Sequence, residues 1–140
     1  MDALARDGYV ESDSLSFTVI HEPGGRPVQV RLDGVIHGVG GVAVEVTKFM
    51  DVRVDGPRID VITTYYRYHA WRARGESIVR YDQAHGVPHC HRFRRDGKVA
   101  EIVTLKLDAM PRLDEVVREA IDTARTWDTN PVEATGTGAG

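Results

Sequence analysis

The segment RYDQAHGVPHCHRF, residues 80–93, concentrates residue types that transfer protons and bind anions. It holds three histidines, two arginines, one aspartate and the only cysteine of the chain: His85, His89, His91, Arg80, Arg92, Asp82 and Cys90. Imidazole titrates near neutral pH and acts as a proton donor or acceptor, whereas a guanidinium stays charged and offers phosphate a planar fork. This composition indicates a site for an anionic ligand.

The spacing of the three histidines suggests that their rings meet. On an extended chain, residues two apart share a face, so His89 and His91 project together while Cys90 faces the other way and is expected to be buried. His85 precedes them by a short loop that can fold back beside them. Asp82 is placed to orient one of the rings, and the three imidazoles are expected to converge.

Metal-independent cleavage of RNA is one chemistry that suits these residues. It needs a base for the 2′-hydroxyl proton, an acid for the leaving oxygen and a cation for the charge that gathers on phosphorus. The predicted catalytic residues are His85, His89, His91 and Asp82, and the predicted substrate-binding residues are Arg80, Tyr81, Arg92 and Arg94. This interpretation requires no metal and no cofactor.

Other interpretations of the same segment stay open. Three neutral imidazoles around one point are also a zinc arrangement that leaves a fourth position for water, although no H-E-x-x-H or C-x-x-C motif accompanies the histidines. A purely structural alternative is a polar sheet face on which histidines pair across strands. A non-catalytic module that docks a nucleic acid or an acidic protein is a further alternative.

The charge of the chain is unevenly distributed. The net charge is −3 overall, but residues 65–98 carry 8 Lys/Arg and 3 Asp/Glu, whereas residues 1–64 carry 6 and 10 and residues 99–140 carry 4 and 8. The overall charge argues against a general nucleic-acid binder. The basic middle segment instead indicates a local anion site, or a solvated strand pair whose arginines contact the acidic flanks.

Alternating patterns and turn residues predict strands for most of the chain. The predicted strands cover residues 15–22, 28–34, 42–56, 59–73, 76–82 and 99–107, with the first two forming a hairpin and 59–73 pairing antiparallel with 76–82. Aromatic residues on the longest strand, Tyr66, Tyr68 and Trp71, are expected in the core. The period changes at 111–127, where apolar residues recur at helical spacing: Leu113, Val116, Val117, Ala120, Ile121 and Ala124.

These elements predict an α+β domain. We expect a five- to six-stranded, mostly antiparallel sheet with one long C-terminal helix packed on one face, spanning residues 1–130, and a flexible tail at 131–140. A single cysteine excludes an internal disulfide and suits a reducing compartment. The chain has no apolar run of about 20 residues and an acidic rather than basic N-terminus, so we expect a cytoplasmic, non-membrane protein.

The order of these pieces resembles the TumE family of toxin–antitoxin toxins. The resemblance covers residues 65–122 and depends on YYRYHA, IVRYDQAHG, PHCHRF and MPRLDEVVREAI. The residues on the family's characteristic positions are Arg80, Tyr81, Asp82, Ala84, His85, Pro88, His89 and His91. Gln83 replaces the family's Asn, the spacer between the histidine groups is shorter, and residues 1–58 form a longer front end.

The resemblance implies a growth-inhibiting toxin that acts on RNA and is neutralised by an antitoxin protein. Together with the acid–base interpretation, it leads us to expect a ribonuclease that binds and hydrolyses an RNA substrate. A homodimer is a further expectation, because a small antiparallel sheet has edges to protect.

Overall fold

The computed structural model describes residues 6–83, 86–106 and 109–129, apart from the side chain of Arg74. Within these ranges the backbone forms eight strands and one long helix. Their bounds are β1 Val10–Asp13, β2 Ser16–His21, β3 Pro27–Gly38, β4 Val42–Asp55, β5 Arg58–Arg72, β6 Glu76–Asp82, β7 His89–Phe93, β8 Val99–Thr104 and α1 Leu113–Thr129.

The strands form one antiparallel sheet in the order β1-β3-β4-β5-β6-β7-β8, and β2 also pairs with β3. Both short strands lie along β3, with β1 opposite Ile36–Gly38 and β2 opposite 27–33. The predicted β2–β3 hairpin and the antiparallel pairing of β5 with β6 are confirmed. Most neighbours in the sheet are also neighbours in sequence, so short turns suffice to connect them.

The α+β class with one C-terminal helix is confirmed, but eight strands replace the predicted five to six. One additional strand is β1, whose four residues VESD show no alternation and are ordered by pairing with β3. The other is the histidine segment itself, where β7 pairs with β6 on one side and β8 on the other. Tertiary pairing, rather than local propensity, makes both segments strands.

The helix packs its apolar stripe on one face of the sheet. The residues predicted to face the core are buried from Val116 to Ala124, and Leu113 is partly buried against them. Polar contacts fix the helix near its C-terminal end and in its middle. Arg72 donates a hydrogen bond of 2.7 Å to Asp128, and the Tyr81 hydroxyl donates one of 2.7 Å to Glu119.

The core lies between α1 and the central strands. The sheet contributes Ile36, Val42, Val44, Val46, Tyr66, Tyr68, Ala70, Val79, Tyr81 and Cys90. Tyr66 and Tyr68 are 1% and 2% exposed, as predicted, and burial, with a contribution from Tyr66, raises the pKa of Tyr68 to about 12. Trp71 departs from the prediction, because it is only partly buried and does not belong to this core.

No helix in the described ranges has both the length and the apolar character needed to cross a membrane. The predicted flexible tail, 131–140, lies outside the described residues, as does part of the predicted last strand at residue 107.

Candidate functional site

The predicted site residues divide between the two faces of the sheet. Directly opposed residues of antiparallel strands point to the same side, and successive residues point to opposite sides. Arg72 and Tyr81 contact α1, which defines the helix-covered face. By alternation, Arg80 and Asp82 project from the opposite face, where α1 does not lie.

On that opposite face the strand register assembles two rows of mostly polar residues. One row contains Glu45, His69, Arg80, His91 and Ile102, and the next contains Thr47, Arg67, Asp82, His89 and Thr104. Each row crosses β4 to β8, so cross-strand neighbours are in contact range. We call the six chemically active members the histidine face: Arg67, His69, Arg80, Asp82, His89 and His91.

Arg80 holds the ring of His91. Its Nη2 lies 2.6 Å from His91 Nδ1, and both side chains are partly buried. A guanidinium has only donors, so the imidazole nitrogen must accept this hydrogen bond. His91 is therefore neutral in this arrangement, with its proton on Nε2, which is left as a donor.

Arg80 is itself paired with Asp82. The Arg80 Nε atom lies 3.1 Å from Asp82 Oδ2, and the two side chains are 29% and 14% exposed. The Nε–H does not meet hydrogen-bond geometry with any partner in the described ranges. The contact is thus a charge pairing rather than an aligned hydrogen bond. It places the Asp82 carboxylate beside the Arg80–His91 contact, where it holds the arginine.

His89 differs from its neighbours because its ring nitrogens bond to no residue in the described part of the chain. Its ring centroid lies 6.3 Å from that of His91. Two imidazoles at this separation can stand on two sides of a phosphate group. His89 thus has nitrogens available for proton transfer, whereas the Nδ1 of His91 is occupied.

His69 belongs to the site although the sequence did not single it out. Its Nε2 lies 3.1 Å from Ser77 Oγ, and its ring is 5.5 Å from the ring of Trp71. Burial, followed by the charges of Arg67 and Arg80, holds the pKa of His69 below its usual 6.5. His69 could have been found from its position opposite Arg80, but that position is known only once the pairing of β5 with β6 is known.

Arg67 is a second residue that sequence reasoning missed. It lies opposite Asp82 across β5 and β6 and is partly buried. Its guanidinium forms no salt bridge of its own within the described ranges, unlike that of Arg80. A guanidinium without a salt bridge in the described ranges, on the same face as His69 and His89, is suited to binding a phosphate oxygen.

Tyr81 and Arg92 do not join the histidine face. They share the helix-covered face with Cys90, where Arg92 donates to Glu119 at 3.1 Å and to the Tyr81 hydroxyl at 3.2 Å. The hydrogen bond to Glu119 raises the pKa of Arg92, and burial raises the pKa of Tyr81. Both residues attach the helix to the sheet. The structure therefore does not bring these two predicted substrate-binding residues together with the histidines.

Arg94 and Cys90 also lie apart from the histidines. Arg94 follows β7 in the turn to β8 and forms a 2.8 Å salt bridge with Asp96. Cys90 is fully buried, as predicted, and burial raises the pKa of its thiol. A buried thiol with a raised pKa is a poor nucleophile.

His85, the third predicted catalytic histidine, lies outside the described residues. Within the described part, no three His, Cys, Asp or Glu side chains are grouped as ligands for a metal ion. Within that part, Asp82 and His91 both contact the cation of Arg80.

Comparisons with protein-family models, with curated proteins and with solved structures found no match to this chain. The functional interpretation therefore depends on the residues of the chain itself.

Proposed function

We propose that this protein is a ribonuclease that cleaves RNA by histidine acid–base chemistry without a metal ion. The observation that carries the proposal is the arrangement of His89 beside the Arg80-bound His91, with ring centroids 6.3 Å apart on a sheet face that α1 leaves open. A free imidazole beside an oriented one, in a cationic setting, is what phosphodiester cleavage requires.

In the proposed reaction, His89 takes the proton of a ribose 2′-hydroxyl. The 2′-oxygen then forms a bond to phosphorus, and the bond from phosphorus to the 5′-oxygen breaks. The departing 5′-oxygen receives a proton from a second acid, for which His85 remains our prediction. The products are a 2′,3′-cyclic phosphate and a free 5′-hydroxyl, so atoms and charge balance.

Two other residues stabilise the charge on the phosphate in this proposal. His91 donates from Nε2, and Arg67 supplies a guanidinium that no described carboxylate neutralises. Arg80 acts on the substrate only through His91 and is a positioning residue. Donors that are already oriented before the reaction contribute most to stabilising a developing oxyanion.

The surroundings of the site support binding of unpaired bases. Trp71 is partly buried next to His69, and Ile102 is 61% exposed beside His91. Single-stranded RNA is usually held by stacking of bases on aromatic and apolar side chains. We propose single-stranded rather than duplex RNA as the substrate.

We further propose a toxin role, in which cleavage of cellular RNA inhibits growth and an antitoxin protein neutralises it. The support is the resemblance of residues 65–122 to the TumE family, which includes Asp82, His89 and His91 at matching positions. Induction of the full chain in a bacterial host should then slow growth, and induction of His89→Ala should not.

Cleavage of a labelled single-stranded RNA by the purified full chain tests the enzyme proposal. We expect wild-type cleavage with and without a chelator, and a loss of about 10²- to 10⁴-fold in rate for His89→Ala. The matched control is His21→Ala, an exposed histidine on β2, which should cleave at the wild-type rate.

Two outcomes would overturn the proposal in different ways. Cleavage that stops with chelator and returns with a divalent ion assigns the histidines to a metal site. RNA binding without cleavage, weakened by Arg67→Ala and unaffected by His89→Ala, assigns the face to a non-catalytic binding module.

A further inference from the structure

The sheet extends well beyond the part that α1 covers. Strand β6 pairs with β5 only from Arg67 onward, so residues 58–66 of β5 have β4 as their one neighbouring strand in the described structure. We define the arm as the four strand segments 16–21, 27–33, 48–55 and 58–66. The described helix lies over the other end of the sheet, where Ile36, Val44 and Ala70 form the core.

One face of the arm is apolar across all four of its strands. The register places its residues on the same side of the sheet as the helix-covered core. We call this the apolar arm face, which consists of Phe17, Val19, Val30, Leu32, Met50, Val52, Val54, Ile59 and Val61. Its most exposed members are Phe17 at 68%, Ile59 at 65% and Val61 at 56%.

The opposite face of the arm is more polar, although it also carries Ile20 and Ile62, which are 42% and 39% exposed. It carries Arg31 paired with Asp33 at 2.7 Å, and Arg58 paired with Asp60 at 3.1 Å. Alternation of this kind is typical of an antiparallel sheet with one solvated face and one covered face. The arm therefore has the sequence pattern of a covered sheet, but α1 does not cover it.

The described helix ends away from this face. Its last turn lies beside Arg72, at the end of β5 opposite to the arm. Exposed apolar patches of this breadth mark an interaction surface.

The size of the apolar arm face is close to what a small homodimer interface requires. Antiparallel strands lie about 4.8 Å apart and rise about 3.4 Å per residue, so four strands of about seven residues cover roughly 450 Å² of flat sheet. The smallest stable interfaces bury about 600 Å² on each partner. The flat area of the arm is thus about three quarters of that minimum, and side chains that rise above the sheet, such as Phe17 and Ile59, add accessible surface to it.

The charges around the face favour a second copy over a charged partner. Among the described residues on this side of the arm, the charged one is Lys48, at its inner border. A two-fold interface places the same patch on both subunits, so an uncharged apolar patch is complementary to itself.

We propose that two copies of this chain pack arm to arm through the apolar arm face. The two sheets lie face to face about 10 Å apart, as in other sheet-on-sheet packings. The proposal does not depend on the ribonuclease activity, because the histidine face lies on the other side of the sheet.

Sedimentation equilibrium of the full chain between about 1 and 100 µM tests this interface. We expect a dimer for wild type and a rise of roughly 100-fold or more in the dissociation constant for Val61→Glu, because the dimer would bury an unpaired carboxylate. The matched control is Ile62→Glu, the next residue of β5, which is 39% exposed on the polar face.

The control should dimerise within about threefold of wild type, and circular dichroism should show the same fold for all three proteins. A wild-type chain that stays monomeric over this range would overturn the proposal and leave the face to a different partner. Equal weakening by both glutamates would overturn it as well, since that would place the interface at the edge of β5 rather than on its face.

Discussion

At the scale of single residues, the three described histidines of the histidine face differ in which ring nitrogens are already bonded. His91 accepts from Arg80, and His69 contacts Ser77, whereas His89 has neither kind of contact among the described residues. In the proposed ribonuclease, this difference is the reason for giving proton transfer to His89 and orienting or stabilising roles to the other two. Three histidines on one sheet face thus have different hydrogen-bonding states.

His69 predicts a specific dependence of stability on pH. Burial and the neighbouring arginines lower its pKa from 6.5 in the folded state. Below pH 6.5 the unfolded chain takes up a proton that the folded chain resists, so the free energy of unfolding falls as the pH drops from about 6.5 toward the lowered value. Above about pH 6.5 this contribution is constant.

Urea unfolding at several pH values between about 5 and 8 checks this prediction. His69→Gln keeps a polar side chain opposite Ser77 but removes the titrating group, so we expect the variant to lose stability less steeply than wild type below pH 6.5. An identical slope in both proteins would mean that His69 is not a source of the pH dependence.

Alternation in the sequence could identify some members of each sheet face but not others. Alternation correctly separated Cys90 from His89 and His91, and the same rule applied to Tyr81 and Arg92 would have placed both on the face of Cys90. His69 and Arg67 could not be found in this way. They join the site through the register of β5 on β6, which includes a bulge between Ala70 and Trp71 that no local pattern reveals.

At the scale of elements, periodicity in the sequence predicted the helix, but it did not predict a strand that is ordered only by pairing with another strand. The buried residues of α1 were predicted individually, because apolar residues recur in its sequence with the helical period of 3.6 residues. Strand β1 was missed, because its four residues are mostly exposed and are ordered only by β3. Residues 14 and 15, between β1 and β2, turn closely over β3 at Gly34.

Gly34→Ala tests the importance of that close approach. A methyl group at this position would lie 2.5 Å from the Ser14 carbonyl oxygen, and the backbone has φ of +142°. Neither the backbone oxygen nor the dihedral can adjust freely, so we expect a loss of roughly 1–3 kcal/mol in unfolding free energy. Thermal or urea unfolding measures it.

The matched control is Gly24→Ala in the β2–β3 turn, where an added methyl group has no atom within 4 Å and no positive φ is required. Its stability should stay within about 0.5 kcal/mol of wild type. If Gly34→Ala were equally neutral, the contact between the turn at residues 14–15 and β3 would not be a constraint on the fold.

At the scale of the whole molecule, the described sheet presents three distinct surfaces. The helix covers one end of one face, the apolar arm face continues on that same side, and the histidine face occupies the opposite side. Packing of two arms would therefore leave both histidine faces open to RNA. The basic segment 65–98 supplies arginines to both sides of the sheet. Arg80 lies on the histidine face, and Arg92 fixes the helix on the other side.

The most direct measurement of the central claim uses an oligonucleotide that is all deoxyribose except for one ribose. Cleavage that begins with removal of a proton from a 2′-hydroxyl can occur only after that one residue, and it leaves a 2′,3′-cyclic phosphate. We predict this single product, formed in the presence of chelator by wild type and His21→Ala and not by His89→Ala. No cleavage by wild type, cleavage at the deoxy positions, or the same product from His89→Ala would contradict the claim.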